Sequence, residues 1–175
     1  MKSEQRQINP SYSAIWCLRL LFGRKPKRTL VRVLLLIITS VVLFGFILVP
    51  VKITGRSMEP TCYDGQVSLV NMFAYTWKEP QRGDVVAIKI DDKKQVILKR
   101  VIGMPGEKIA FHTGVVFING KRLEEPYLTS AGAWEWPEET LGNNMYFVTG
   151  DNRLISQQFR VVRQQIVGKL LHFWH

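Results

Sequence analysis

Cysteine is nearly missing from this 175-residue chain, which has only Cys17 and Cys62. The two lie on opposite sides of a long uncharged run, so a bridge between them would have to cross it. Neither a disulfide framework nor a cysteine-based metal motif is available. Histidine is almost as scarce: His112, His172 and His175 lack the spacing of an HExxH helix, and no metal or cofactor is expected. Acidic residues are also few, 14 against 24 Lys and Arg, for a formal net charge of +10. That excess is not spread over a binding face. Residues 1–32 hold eight Lys and Arg against Glu4 alone, so most of the positive balance sits on one flank. Such a flank faces anionic lipid, and nucleic acid is not expected as a partner. Internal repeats and low-complexity tracts are absent as well, which leaves one globular unit plus whatever the uncharged run forms.

That run is residues 33–51, VLLLIITSVVLFGFILVPV, bracketed by Arg32 and Lys52. As a helix it would reach about 28 Å, close to the hydrocarbon thickness of a bilayer. A cleaved signal peptide is the competing reading, but the run is longer than the usual apolar region and ends in Leu48-Val49-Pro50-Val51 instead of a small-x-small exit. A buried core helix is the other, weakened because no polar face appears. The expectation is a basic cytoplasmic arm over 1–32, a transmembrane anchor over 33–51 and an extracytoplasmic domain over 52–175, in a bacterial cell membrane with the N-terminus inside. Within the arm, the apolar patch around Ile15 to Phe22, broken by Arg19, fits a surface-lying helix or a disordered tail equally well.

Past residue 52 the apolar period becomes two, and the domain reads as mainly antiparallel β. Strands are expected over 66–70, 84–90, 95–102, 108–112, 115–118 and 145–148, and a last one from Val161 toward Trp174. Asp91-Asp92-Lys93-Lys94 marks a charged hairpin tip, and Asn119-Gly120 a type I′ turn. Residues 123–144, with Pro126, Trp134, Trp136, Pro137 and Gly142, read as irregular, their tryptophans forming an apolar rim.

Two polar residues stand out chemically. Ser57 lies in Gly55-Arg56-Ser57-Met58-Glu59-Pro60-Thr61, a turn in which glycine leaves room for an approaching backbone and proline prevents a helix. Alone, such a serine is a turn residue. Lys99 lies in VILKRVI between Ile97 and Val101 on one face, while Arg100 shares the other with Leu98 and Ile102. A lysine there either snorkels from an edge or sits desolvated, and in the second case it can become a neutral amine able to take a proton from serine. His112 with Ser57 would be the conventional alternative, but it ends a strand beside a Thr-Gly turn.

Four segments in order, GRSMEPT, RGDVVAI, KRVIGMPGE and GDNRLIS, resemble the boxes of bacterial type I signal peptidases, membrane-anchored Ser/Lys proteases that remove signal peptides from exported preproteins. The resemblance implies Ser57 as nucleophile and Lys99 as general base. It implies an Arg100–Asp151 ion pair tying two boxes together, Ser156 orienting the lysine, Met58 at the membrane-facing edge, and the Ser57 N–H as part of the oxyanion hole. Gly55 stands where some members carry a second oxyanion hydroxyl, as in the smaller Gram-positive-type enzymes. The resemblance further implies small residues at the first and third positions before the cut, preproteins as substrates and translocation machinery nearby. The chain departs from the pattern at Gln158 and Phe159, where an Asp and a Ser are usual, so Arg160 loses its expected carboxylate; Ile155 replaces a commonly polar residue. Those departures keep a second reading open, a non-catalytic relative acting as partner of an active peptidase. Soluble self-cleaving repressors share the Ser/Lys chemistry but have no anchor.

Overall fold

Pro26 begins α1 (Pro26–Val42), a position where the missing proline N–H would have had no partner and the fixed φ already suits a helix. The helix continues through a π-helical turn, Leu43–Ile47. Its apolar stretch, Lys27–Ile47, has a window of mean hydropathy 2.7 and is long enough to cross a membrane. Leu34, Leu35, Leu36 and Ile37, which together circle the helix, are all exposed.

The chain is described here from a computed structural model over residues 26–90 and 96–171, in two compact units, Met1–Leu43 and Phe44–His175. The expected surface helix or tail before residue 26, the charged tip Asp91-Asp92-Lys93-Lys94 and the last four residues fall outside the described residues.

The expected anchor boundary is corrected at its C-terminal end. Leu48–Lys52 is strand β1, paired antiparallel with β2 (Val67–Asn71), Leu48 opposite Asn71 and Lys52 opposite Val67. Pro50 cannot continue a helix, and Val49 and Val51 favour the pleat. Because β1 is the outermost strand of its sheet, a residue without an N–H is tolerated in it.

Among the described residues, every strand pairing in the second unit is antiparallel. Its other strands are β3 (Val85–Lys89), β4 (Val96–Gly103), β5 (Lys108–His112), β6 (Val115–Ile118), β7 (Lys121–Arg122), β8 (Trp136–Thr140), β9 (Met145–Thr149), β10 (Gln158–Val162) and β11 (Ile166–Leu171). Seven strands form one sheet in the order β1-β2-β11-β3-β4-β9-β10, and four form a second, β7-β6-β5-β8. Period two along β3 covers both faces of the large sheet. Val86 and Ile88 pack with Val101, Tyr146 and Val148, while Val85 and Ala87 pack with Ile53, Met58, Val70 and Leu170. A third cluster, including Ile102, Phe111, Val116 and Phe147, joins the small sheet to the large one.

Asn119 and Gly120 both have positive φ, 49° and 76°, as a type I′ turn requires. Two expectations are corrected. The stretch taken as irregular contains β8, which pairs with β5 at the edge of the small sheet; Pro137 hides the strand signal in the sequence yet is harmless at an edge. The single final strand is two, β10 at the rim beside β9 and β11 between β2 and β3, separated by a 3-10 turn at Arg163–Gln165. Alternating burial of Ile166, Gly168 and Leu170 marks β11 as a core strand.

Candidate active site

The turn after β1 presents Ser57 at the mouth of a cleft of about 410 Å³. Lys52, Thr54 and Gly55 line one part of it, Ile97, Leu98 and Lys99 of β4 another, and Ile155, Gln157 and Phe159 a third. Neither the N–H nor the hydroxyl of Ser57 has a hydrogen-bond partner among the described residues, whereas its carbonyl accepts the Asn152 N–H at 3.1 Å. The serine is therefore clamped by its own backbone oxygen, with its reactive groups open. Gly55, two residues before, gives its N–H to Asp64 Oδ1 at 2.8 Å, so that group is occupied in fixing the turn.

Lys99 is only 5% exposed. Its Nζ lies 2.9 Å from Ser156 Oγ and 5.9 Å from the centre of the Phe159 ring. Burial pulls its pKa down from the ordinary 10.5 to about 8, against the opposing charge of Asp151. Lys99 and Ser57 share the cleft, with no hydrogen bond between them. Ser156 Oγ also accepts the Gly150 N–H at 2.8 Å and has the Gln157 carbonyl at 3.3 Å as an acceptor for its own proton. With two hydrogens arriving and its proton directed elsewhere, the hydroxyl accepts from Lys99 and leaves the amine lone pair free.

Gly150, which sequence reasoning passed over, is the close-approach point of the site. A Cβ there would collide with the Ser57 carbonyl oxygen and with Ser156 Oγ. Its place in the GDN segment was a usable signal, since a glycine beside a functional loop often marks backbone contact.

Behind the cleft, Arg100 pairs with Asp151 through Nε at 2.8 Å and through Nη2, and Thr61 Oγ1 bonds both partners. Arg100 Nη1 reaches the Gly83 carbonyl at 2.7 Å, and the guanidinium stacks on the Tyr127 ring at 4.0 Å. Burial would lower the Arg100 pKa, but the hydrogen bonds and charge of Asp151 outweigh it and hold the group above its ordinary value. A second buried pair, Arg153 with Glu125, continues the network; Glu125 also accepts the Tyr127 hydroxyl at 2.6 Å, and Arg153 Nε bonds the Gly150 carbonyl at 3.1 Å. Glu125 and Tyr127 lie in the irregular stretch, with nothing in their spacing to reveal a role.

Of the expected site residues, Ser57, Gly55 and Lys99 meet in one cleft, Ser156 contacts Lys99, and Arg100 and Asp151 are paired. Met58 is corrected. It is 1% exposed, packs in the core with Ile53 and Cys62 and lines the cleft beside Ser57, so its side chain does not form an exposed apolar edge. Trp136 is half-buried and meets Phe147 edge-on at 5.4 Å, and with Trp134 it lines a hollow next to the cleft. Arg160 finds the carboxylate it was expected to lack in Glu139, at 3.1 Å.

Comparison with known proteins decides what this arrangement is related to. The family described as signal peptidase, peptidase S26, matches residues 27–174. The chain belongs to that family. Signal peptidase I V of Bacillus subtilis (strain 168) is 38% identical over 135 residues, covering 67% of this chain and 80% of the relative. Signal peptidase I of Bacillus amyloliquefaciens is 36% identical over 141 residues, covering 70% and 72%, and signal peptidase IB of Staphylococcus aureus is 32% identical over 152 residues, covering 74% and 79%. A crystal structure of a signal peptidase I from Enterococcus faecalis V583 is 31% identical, covers 54% of this chain and 98% of that one, and has a TM-score of 0.46. Membership of the signal peptidase family makes the chain a peptidase, with a mainly antiparallel β domain and one N-terminal apolar helix.

Proposed function

We propose that the chain removes signal peptides from exported preproteins through a Ser57/Lys99 dyad. The observation that carries the assignment is Lys99, a buried amine beside Ser156 in the cleft that holds Ser57. Neutral Lys99 accepts the Ser57 proton as Oγ attacks the scissile carbonyl carbon, and the Ser57 N–H stabilises the resulting oxyanion. The protonated lysine then gives its proton to the leaving amine, and an acyl-enzyme ester remains. Water loses a proton to Lys99 and attacks the ester, and Lys99 returns that proton to Ser57 Oγ as it leaves, restoring the serine and the neutral amine. Substrate closes the gap between the two side chains, since catalytic hydrogen bonds commonly tighten only in the complex. Arg100, Asp151 and Ser156 are positioning residues, acting through Lys99 and the loop that bears it company. Substrate lies extended as an added strand, with small residues at the first and third positions before the cut.

The apolar helix is the membrane anchor in this reading, with the basic flank in the cytoplasm, the β domain outside and the translocation machinery as neighbour. Exposed Phe73 and Trp77 support a lipid-facing edge, because the turn bearing them is tied to the end of the apolar stretch by the Met72 N–H and the Ile47 carbonyl, 2.9 Å apart. Purified protein against a precursor with an Ala-x-Ala site, beside Ser57→Ala and Lys99→Ala, tests the activity. Cleavage by wild type alone is expected; equal rates in all three would leave the non-catalytic reading standing. Protease protection in vesicles tests the orientation, with the β domain expected on the face opposite the N-terminus.

A further inference from the structure

The cleft that holds Ser57 and Lys99 does not end at its own rim. Ile155 and Gln157 also line a second hollow of about 430 Å³, whose other walls include Trp134, Trp136 and Leu154. The two hollows therefore adjoin across residues 154–158.

The side chains at that junction are not there for the fold. Leu154 and Ile155 are 69% and 59% exposed, and Ile155 belongs to none of the three core clusters. Its N–H bonds the Asn152 carbonyl at 3.3 Å, a turn any residue could make. Two adjacent large aliphatic side chains in water beside a half-buried indole form the kind of patch that marks a binding surface. Glu135 in its lining accepts the Thr113 N–H at 2.6 Å, and Arg160 nearby is paired with Glu139 at 3.1 Å. The rest of the lining is uncharged, with Ser156, Gln157 and Gln158 beside the apolar side chains.

Strand pairing indicates what passes along the two hollows. Residues 96–99 of β4 pair with β3, but pairing of β4 with β9 begins only at Arg100. The backbone of 96–99 on the β9 side is an open edge in the cleft, where an extended chain adds as a strand. A substrate held there by the residues before its cut runs past Ser57 and leaves over Ile155 and Gln157.

We propose that the hollow between Trp134, Leu154 and Ile155 is a subsite for the segment that follows the cut, and that it takes an apolar or aromatic side chain at the first or second position after the scissile bond. The proposal rests on the Ser57/Lys99 reading above. The occupant is the start of the mature protein, so this chain selects precursors by residues on both sides of the cut.

The test uses full-length protein in detergent and synthetic precursors identical before the cut, carrying either Leu-Phe or Gly-Asp after it. Wild type is expected to favour the Leu-Phe substrate in kcat/KM by about fivefold to tenfold, the discrimination a modest apolar pocket supplies. In Leu154→Asp and Ile155→Asn the ratio between the two substrates should fall toward one. A ratio is read because loss of folding lowers both rates together and cancels. A wild-type ratio near one, or a ratio unchanged in both variants, overturns the proposal. Failure of the dyad reading looks different: no substrate is cut faster by wild type than by Ser57→Ala.

Discussion

Lys99 and Arg100 are consecutive on β4, and the two faces of that strand treat a positive charge in opposite ways. Lys99 enters an apolar face with one hydroxyl partner, Ser156, and burial takes its pKa down to about 8. Arg100 enters the other face against Asp151, Thr61, Gly83 and Tyr127, and is held charged. One face destabilises a charge so that it can be given up; the other fixes a charge so that the loop from Asp151 to Ser156 stays in place. In the proposed dyad both treatments fall within one residue step, because successive side chains of a strand point to opposite faces.

The comparison is most sharply broken by exchanging each cation for methionine. Lys99→Met should lower kcat/KM by at least about a thousandfold, as loss of a general base that also activates the nucleophile does, while thermal stability holds or rises. The sign follows from linkage. The folded pKa of Lys99 lies below the unfolded one, so the unfolded chain binds more protons. The contribution of Lys99 to stability is lowest below about pH 8 and rises as pH climbs from 8 toward 10.5, and the variant should lose that rise. Arg100→Met should do the reverse at the level of the fold, leaving Asp151, 1% exposed, as an unpaired buried carboxylate at a cost of about 3–5 kcal/mol in denaturant unfolding. Equal stability changes in the two variants would erase the distinction.

Smaller changes sharpen it. Gly150→Ala should push the Ser57 carbonyl and Ser156 apart and cost about 1–3 kcal/mol of stability together with most of the activity, measured by unfolding and by precursor cleavage. Ser156→Ala should cost about 1–3 kcal/mol by leaving the buried Gly150 N–H unpaired, and lower kcat about tenfold to a hundredfold at constant KM, because it also removes the acceptor that orients Lys99. Least affected is Arg160→Ala: its pair with Glu139 is half exposed, and the expected change is below about 1 kcal/mol.

Much of this was legible in the chain. The period-two pattern of VILKRVI alone separated Lys99 from Arg100, and the ordered boxes around Ser57, Arg100, Asp151 and Ser156 indicated which residues to examine. What escaped notice depended on partners far along the sequence. Met58 reads as an exposed turn residue until the turn folds over the Ile53–Cys62 cluster. Arg160 reads as an orphan until β8, hidden by Pro137, brings Glu139 beside it. Glu125 and Tyr127 carry no periodic signal because the segment bearing them is placed by contacts with Arg153 and Arg100 instead of by a strand. Boundaries failed for a related reason: Leu48 to Val51 is as apolar as the helix before it, and only pairing with β2 makes it a strand.

The central claim, that burial turns Lys99 into the base, is tested most directly by the pH dependence of kcat/KM for wild-type protein on one uncharged precursor peptide. The rate should climb about tenfold per pH unit on the acid side and level off near pH 8. A flat profile from pH 6 to 9, or a limb still climbing toward the ordinary lysine value of 10.5, would contradict it.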